Sequence, residues 1–191
     1  MKNAAINEIL TEKGFLLADG ATGTNLFMRG LETGYPPELW NVERPDDIQG
    51  LHASFFDAGS DLVLTNSFGG NALRLKLHDA QDRVPELNAA AARLARKAAA
   101  TATDRQRRPL LVAGSMGPTG ELFEPMGALT LAATRDVFAA NANALFEGGV
   151  DMLWIETMSS TEEIAAALEA AEATGLTVAA TMTFDTAARS M

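Results

Sequence analysis

One unit recurs along this chain: a short apolar run that ends in polar or glycine-rich residues and is followed by helical patterning. The runs are Phe15–Ala18 into Asp19-Gly20, Asp61–Leu64 into Thr65-Asn66, and Pro109–Ala113 into Gly114-Ser115-Met116-Gly117. Asp151–Ile155 into Glu156-Thr157 and Thr177–Ala180 into Thr181-Met182-Thr183-Phe184-Asp185 complete the series. Short continuous apolar runs such as Leu62-Val63-Leu64 mark strands covered on both faces. Strands alternating with helices argue a mainly parallel sheet with helices outside, and right-handed crossovers bring all the strand C-termini to one face. The pattern leaves the closure open. A doubly wound sheet of five strands would be complete at 191 residues, whereas a (β/α)8 barrel typically needs ~250.

The intervening segments carry helix signals. Ala21–Trp40 is a long connection with room for a short helix near Thr24–Arg29 before Tyr35-Pro36-Pro37. A helix starts at Pro45, a favoured first-turn residue, and ends at Gly59. Alanine-rich Val84–Ala102 reads as a helix, with Asp104–Arg108 as its solvated end. Leu129–Phe146 is the next, stopped by Gly148-Gly149. Ser159–Glu163 supplies N-cap and first-turn chemistry for Ile164–Ala173.

Composition removes several functions. Acidic residues outnumber basic ones 25 to 15, for a net charge of -10, which disfavours nucleic-acid backbones and anionic membranes as partners. With no cysteine, disulfides, thiolate metal sites and cysteine nucleophiles are excluded. The N-terminus lacks the basic start and apolar core of a signal peptide, and no apolar stretch is long enough to span a bilayer. A cytoplasmic location is the corresponding expectation.

Chemistry therefore rests on the strand ends. Asp19-Gly20-Ala21-Thr22-Gly23-Thr24 lacks the spacing of a dinucleotide or phosphate loop; it is either a site element or a tight turn in which Asp19 caps backbone amides. Glu156 directly follows Leu153-Trp154-Ile155, and a carboxylate leaving such a run needs a partner because burying a lone charge is costly. A bound amino group or an arginine would satisfy it. Asp19 and Glu156 also admit reading as an acid/base pair. Thr65, Asn66 and Phe68 offer a hydroxyl, an amide and an aromatic wall, and Met116–Gly120 makes a glycine-shaped rim loop, although these are also ordinary turn residues. His52 and His78 have no metal-ligand spacing and are set aside as catalytic groups. Asp185 continues the rim after the fifth run.

Taken in order, these motifs resemble the homocysteine S-methyltransferase family, which includes betaine–homocysteine methyltransferases and the homocysteine domain of cobalamin-dependent methionine synthase. The resemblance runs through Asp19–Thr24, Leu51–Asp61, Leu64–Phe68, Val112–Pro118 and Gly148–Thr157. It implies a (β/α)8 TIM barrel of which residues 1–191 form about the first five β-α units, a homocysteine-binding domain incomplete at its C-terminus. It implies methyl transfer to the homocysteine thiol, forming methionine, with the thiol activated by zinc in the intact protein. Carried onto this sequence, Glu156 holds the homocysteine ammonium, while Asp19, Gly20, Thr65 and Asn66 position the amino-acid portion and Phe68 shapes the pocket. The family's zinc ligands are cysteines on later strands, so this chain offers neither metal ligand nor catalytic residue and is expected to be inactive alone. The implied partners are homocysteine and a methyl donor, either a small betaine or sulfonium compound or a methylcorrinoid on a separate protein. An exposed sheet edge would favour homo-oligomers. The competing readings are an α/β enzyme using Asp19 and Glu156 as acid and base, and a non-catalytic fragment that binds a small molecule or assembles with a partner.

Overall fold

The computed structural model describes residues 4–106 and 108–184. Four parallel strands, β1 (Leu62–Leu64), β2 (Leu111–Met116), β3 (Met152–Met158) and β4 (Thr177–Met182), lie side by side in chain order. Phe15–Ala18 runs alongside β1, but a single bridge, Ala18 to Leu62, replaces the expected first strand. Its bonds are few: Asp61 and Leu62 donate to Leu17 O, and Asp19 donates to Leu62 O.

Helices α1 (Ala4–Lys13), α2 (Thr22–Met28), α3 (Trp40–Glu43), α4 (Pro45–Asp57), α5 (Ala72–Lys76), α6 (Val84–Gln106), α7 (Leu131–Gly148) and α8 (Thr161–Glu172) fill the connections. Ser160 caps α8 as expected, accepting from the Glu163 amide, and Thr130, which the sequence reading did not name, caps α7 by accepting from the Ala133 amide. Helix α7 stops where Gly149 takes the left-handed φ of 92°, a conformation that carries no Cβ penalty in glycine. Helix α1 has no counterpart in the sequence-based expectation.

Strand alternation decides the closure. Val63, Val112, Leu153 and Ile155 point into one core with Phe56 of α4, Ala95 of α6, Phe138 of α7 and Ala167 of α8. Their alternate neighbours Leu62, Leu111, Ala113 and Met152 face the other way, joined by Trp154 and by Ala5, Ile6 and Ile9 of α1. Helices α4, α6, α7 and α8 thus cover one face only. A doubly wound sheet would carry crossover helices on both faces; here the crossover helices lie on one face, and the other is lined by strand side chains with α1 packed against them, as in the wall of a partial (β/α) barrel.

Asp61 locks the lower end of this wall. It is fully buried and accepts from Lys13 at 2.6 Å, from the Leu17 amide at 3.0 Å and from Arg108. Arg108 also donates to the carbonyls of Gly59 and Ser60. The Asp104–Arg108 run is therefore more than a solvated helix end, because its last residue ties the approach to β2 onto β1.

Candidate functional site

The C-terminal strand ends open into a cavity of about 680 Å³. All six residues expected to contact substrate line it: Asp19, Gly20, Thr65, Asn66, Phe68 and Glu156. Asp185 lies outside the described residues.

Asp19 leaves the Phe15–Ala18 stretch and turns its carboxylate across to the neighbouring strand, where Oδ2 accepts the Leu64 amide at 2.9 Å. The backbone amide that it holds is therefore on β1 rather than at the start of α2, where the cap position is Ala21 with no side-chain bond. Burial pushes the Asp19 carboxyl up to about 7, the nearby Glu156 charge pushes in the same direction, and the Leu64 amide opposes both.

Glu156 sits in an irregular stretch of β3. Register with β4 shifts between Ile155 and Met158, and both of those side chains enter the helix-covered core. Two residues separate them where regular alternation allows one, so Glu156-Thr157 forms a bulge. Thr157 takes φ 62°, a left-handed conformation that is unfavourable for a β-branched residue. Bulges re-aim side chains beside functional sites, and here the neighbour of the strained residue is the carboxylate that lines the cavity. Ser115 Oγ donates to Glu156 Oε1 at 2.5 Å.

Behind these carboxylates is a wall of committed polar groups. Thr65 Oγ1 accepts from the Ser115 amide at 3.0 Å and is 2.6 Å from Ser67 Oγ, which donates to Ser115 O. Asn66 Nδ2 donates to Pro37 O and to Asn41 Oδ1, and Asn41 Nδ2 returns a bond to Asn66 O. Thr65 and Asn66 thus line the cavity, with Thr65 Oγ1 and Asn66 Nδ2 engaged in holding its wall. Phe68 is partly exposed at the rim, and its carbonyl accepts from the Gly117 amide.

The cavity also takes in residues that sequence reasoning did not single out: Tyr35, Glu38, Arg74, Ser115 and Trp154, together with His78, which had been set aside. Pro36-Pro37 marked a chain break but gave no sign that the next residue, Glu38, would be buried against the cavity. His52 is buried among core residues with neither ring nitrogen hydrogen-bonded, and burial lowers its pKa to about 4.

The metal that the resemblance implies is not matched by these residues. The chain has no cysteine, and among the described residues no group of three or more His, Asp or Glu is placed to hold an ion. Nor is any described helix long and apolar enough to cross a membrane.

Asp19 and Glu156 share a cavity that Glu38 and Arg74 also line, and among the described residues no lysine or arginine forms an ion pair with either Asp19 or Glu156.

The homocysteine S-methyltransferase family profile matches residues 16–191. Methionine synthase of Mycobacterium tuberculosis is 33% identical over 171 residues, which is 84% of this chain and 14% of that protein. Methionine synthase of Mycobacterium leprae is 34% identical over 163 residues, 80% of this chain and 13% of that protein. The chain thus spans a small part of these relatives. Among solved structures, the oxidized form of the Escherichia coli homocysteine methyltransferase MmuM superposes with a TM-score of 0.79 at 28% identity, over 95% of this chain and 66% of that one. Its metallated form gives 0.78 at 27% identity, over 96% and 66%. The profile covers the strand ends, both cavity carboxylates and the wall between them: the chain belongs to the homocysteine S-methyltransferase family.

Proposed function

We propose that the cavity binds homocysteine by its amino-acid end and presents the thiol for methylation to methionine. The supporting observation is the pair of carboxylates, Asp19 and Glu156, in a half-buried cavity with no ion-pair partner among the described residues. An ammonium group is the ligand that such a pair lacks, since burial makes an uncompensated carboxylate costly. Glu156 takes the ammonium, Asp19 completes its charge balance, and Phe68 and Trp154 supply apolar wall. The wall from Thr65 to Ser67 holds the site rather than contacting the reacting atoms.

In the reaction the thiolate sulfur forms a bond to the methyl carbon while the bond from that carbon to its carrier breaks, and the electron pair departs with the carrier. The carrier is a betaine or sulfonium compound, or a methylcorrinoid on a partner protein. Zinc, proposed for the intact protein, would supply thiol ionisation at neutral pH; the described residues do not fit it, and no step is assigned to it. Holding the amino-acid end fixed supplies the positional part of catalysis.

The test is calorimetric titration of the chain with L-homocysteine under reducing conditions. Wild type binds, and Glu156→Gln binds about tenfold more weakly or worse, the loss expected for one charge-assisted bond. Equal affinity in the two proteins would overturn the assignment.

A further inference from the structure

Glu38 is a carboxylate that the proposed chemistry does not use, and it is nearly as buried as the core, 5% exposed. It follows Pro36-Pro37 and lines the cavity. Its Oε1 accepts the Gly69 amide at 2.7 Å. Burial pushes its pKa up, and the Gly69 amide and the charges of Arg74 and His78 on the rim act in the opposite direction. Retaining so desolvated a group needs a compensating bond, and the compensation here comes from the backbone of the cavity wall.

Gly69 allows this close approach. A Cβ at that position would lie 2.9 Å from Glu38 Oε1, inside van der Waals contact, so any larger residue would force the carboxylate to shift against the amide it accepts. The turn that carries Glu38 grips the same wall at two more points, through Pro37 O and Asn41 to Asn66. From Gly69 the wall continues through Gly70 N to Ser67 O, through Ser67 and Thr65 to Ser115, and from Ser115 Oγ to Glu156. One end of this hydrogen-bonded wall is anchored by Glu38, and the other orients the cavity carboxylate.

We infer that Glu38 is a positioning residue: by holding the Gly69 amide it fixes the wall of residues 65–70, and through that wall it sets the affinity of the cavity for an amino-acid ligand. The affinity part rests on reading the cavity as a homocysteine site. The conformational part does not.

The experiment compares the whole chain carrying Glu38→Gln, Glu38→Ala, Gly69→Ala or both alanine changes, read by hydrogen exchange across residues 65–70 and by the Kd for L-homocysteine. Glutamine keeps an acceptor oxygen, so Glu38→Gln retains amide protection and a Kd within about threefold of wild type. Glu38→Ala and Gly69→Ala each speed exchange in that segment and weaken binding by about tenfold, the effect of one buried bond. The double variant is no worse than either single one, because both remove the same bond. If Glu38→Ala does not fold, Gly69→Ala breaks the bond from the other side and carries the test. Unchanged exchange over residues 65–70 in a folded alanine variant, or additive losses in the double variant, would overturn the inference. A wild-type chain that does not bind L-homocysteine overturns the proposed function, and the exchange pattern then decides the role of Glu38 by itself.

Discussion

Ser115 donates its hydroxyl to Glu156 Oε1 at 2.5 Å. Ser115 is itself buried and fixed through its own amide by Thr65 Oγ1, so β1, β2 and β3 jointly aim one carboxylate. Ser115→Ala removes the hydroxyl without altering the backbone bond. Weaker L-homocysteine binding, by about tenfold, is expected with little change in melting temperature. Calorimetry beside a thermal melt separates the two effects, and a large stability loss with intact affinity would assign Ser115 to the fold alone.

The strained bulge gives a prediction of opposite sign for stability. Thr157 holds a left-handed backbone that glycine adopts freely. Thr157→Gly is expected to stabilise the chain by about 1 kcal/mol in denaturant unfolding. A destabilised variant would show that the Thr157 side chain contributes more than its backbone costs.

Asp19 trades stability against binding. Its folded pKa of about 7 stands above the ordinary carboxylate value, so the stability associated with its neutral form is complete at low pH and is lost as pH rises through 7. Asp19→Asn keeps an acceptor for the Leu64 amide and removes the ionisation. The variant should melt higher than wild type at pH 8, match it near pH 3, and bind L-homocysteine more weakly at pH 8. A lower melting temperature at pH 8 would contradict the assignment.

His52 shows the reverse linkage. Its folded pKa of about 4 lies below the ordinary histidine value, so its contribution is intact above about 6.5 and is lost as pH falls toward 4, by about 3 kcal/mol in all. Both ring nitrogens lack partners, which makes an apolar ring a tolerable replacement. His52→Phe should flatten the decline in unfolding free energy between pH 6.5 and 4, and an unchanged slope would place the proton uptake elsewhere.

Much of the architecture was legible because the physics was local. Leu62-Val63-Leu64 and Leu153-Trp154-Ile155 are apolar on both faces, and Ser160 precedes a helix with glutamate at the third position. Boundaries failed where pairing overrode composition. Gly114-Ser115-Met116 has turn chemistry, yet β2 continues through it because β3 pairs with all three residues, beyond the point where β1 ends. Phe15–Ala18 has strand composition but gains only one bridge at the sheet margin. The carboxylates Asp19 and Glu156 were visible because each follows an apolar run. Glu38 and Ser115 were not, since their roles arise from contacts 31 and 41 residues distant in the chain, which no local pattern encodes.

The central claim is that the two carboxylates recognise an amino group. Titration of the wild-type chain with L-homocysteine, and in parallel with mercaptobutanoate, the same thiol acid without its amino group, tests this most directly. The account predicts binding of L-homocysteine and a loss of about tenfold or more for mercaptobutanoate. Equal affinity for the two compounds would contradict it.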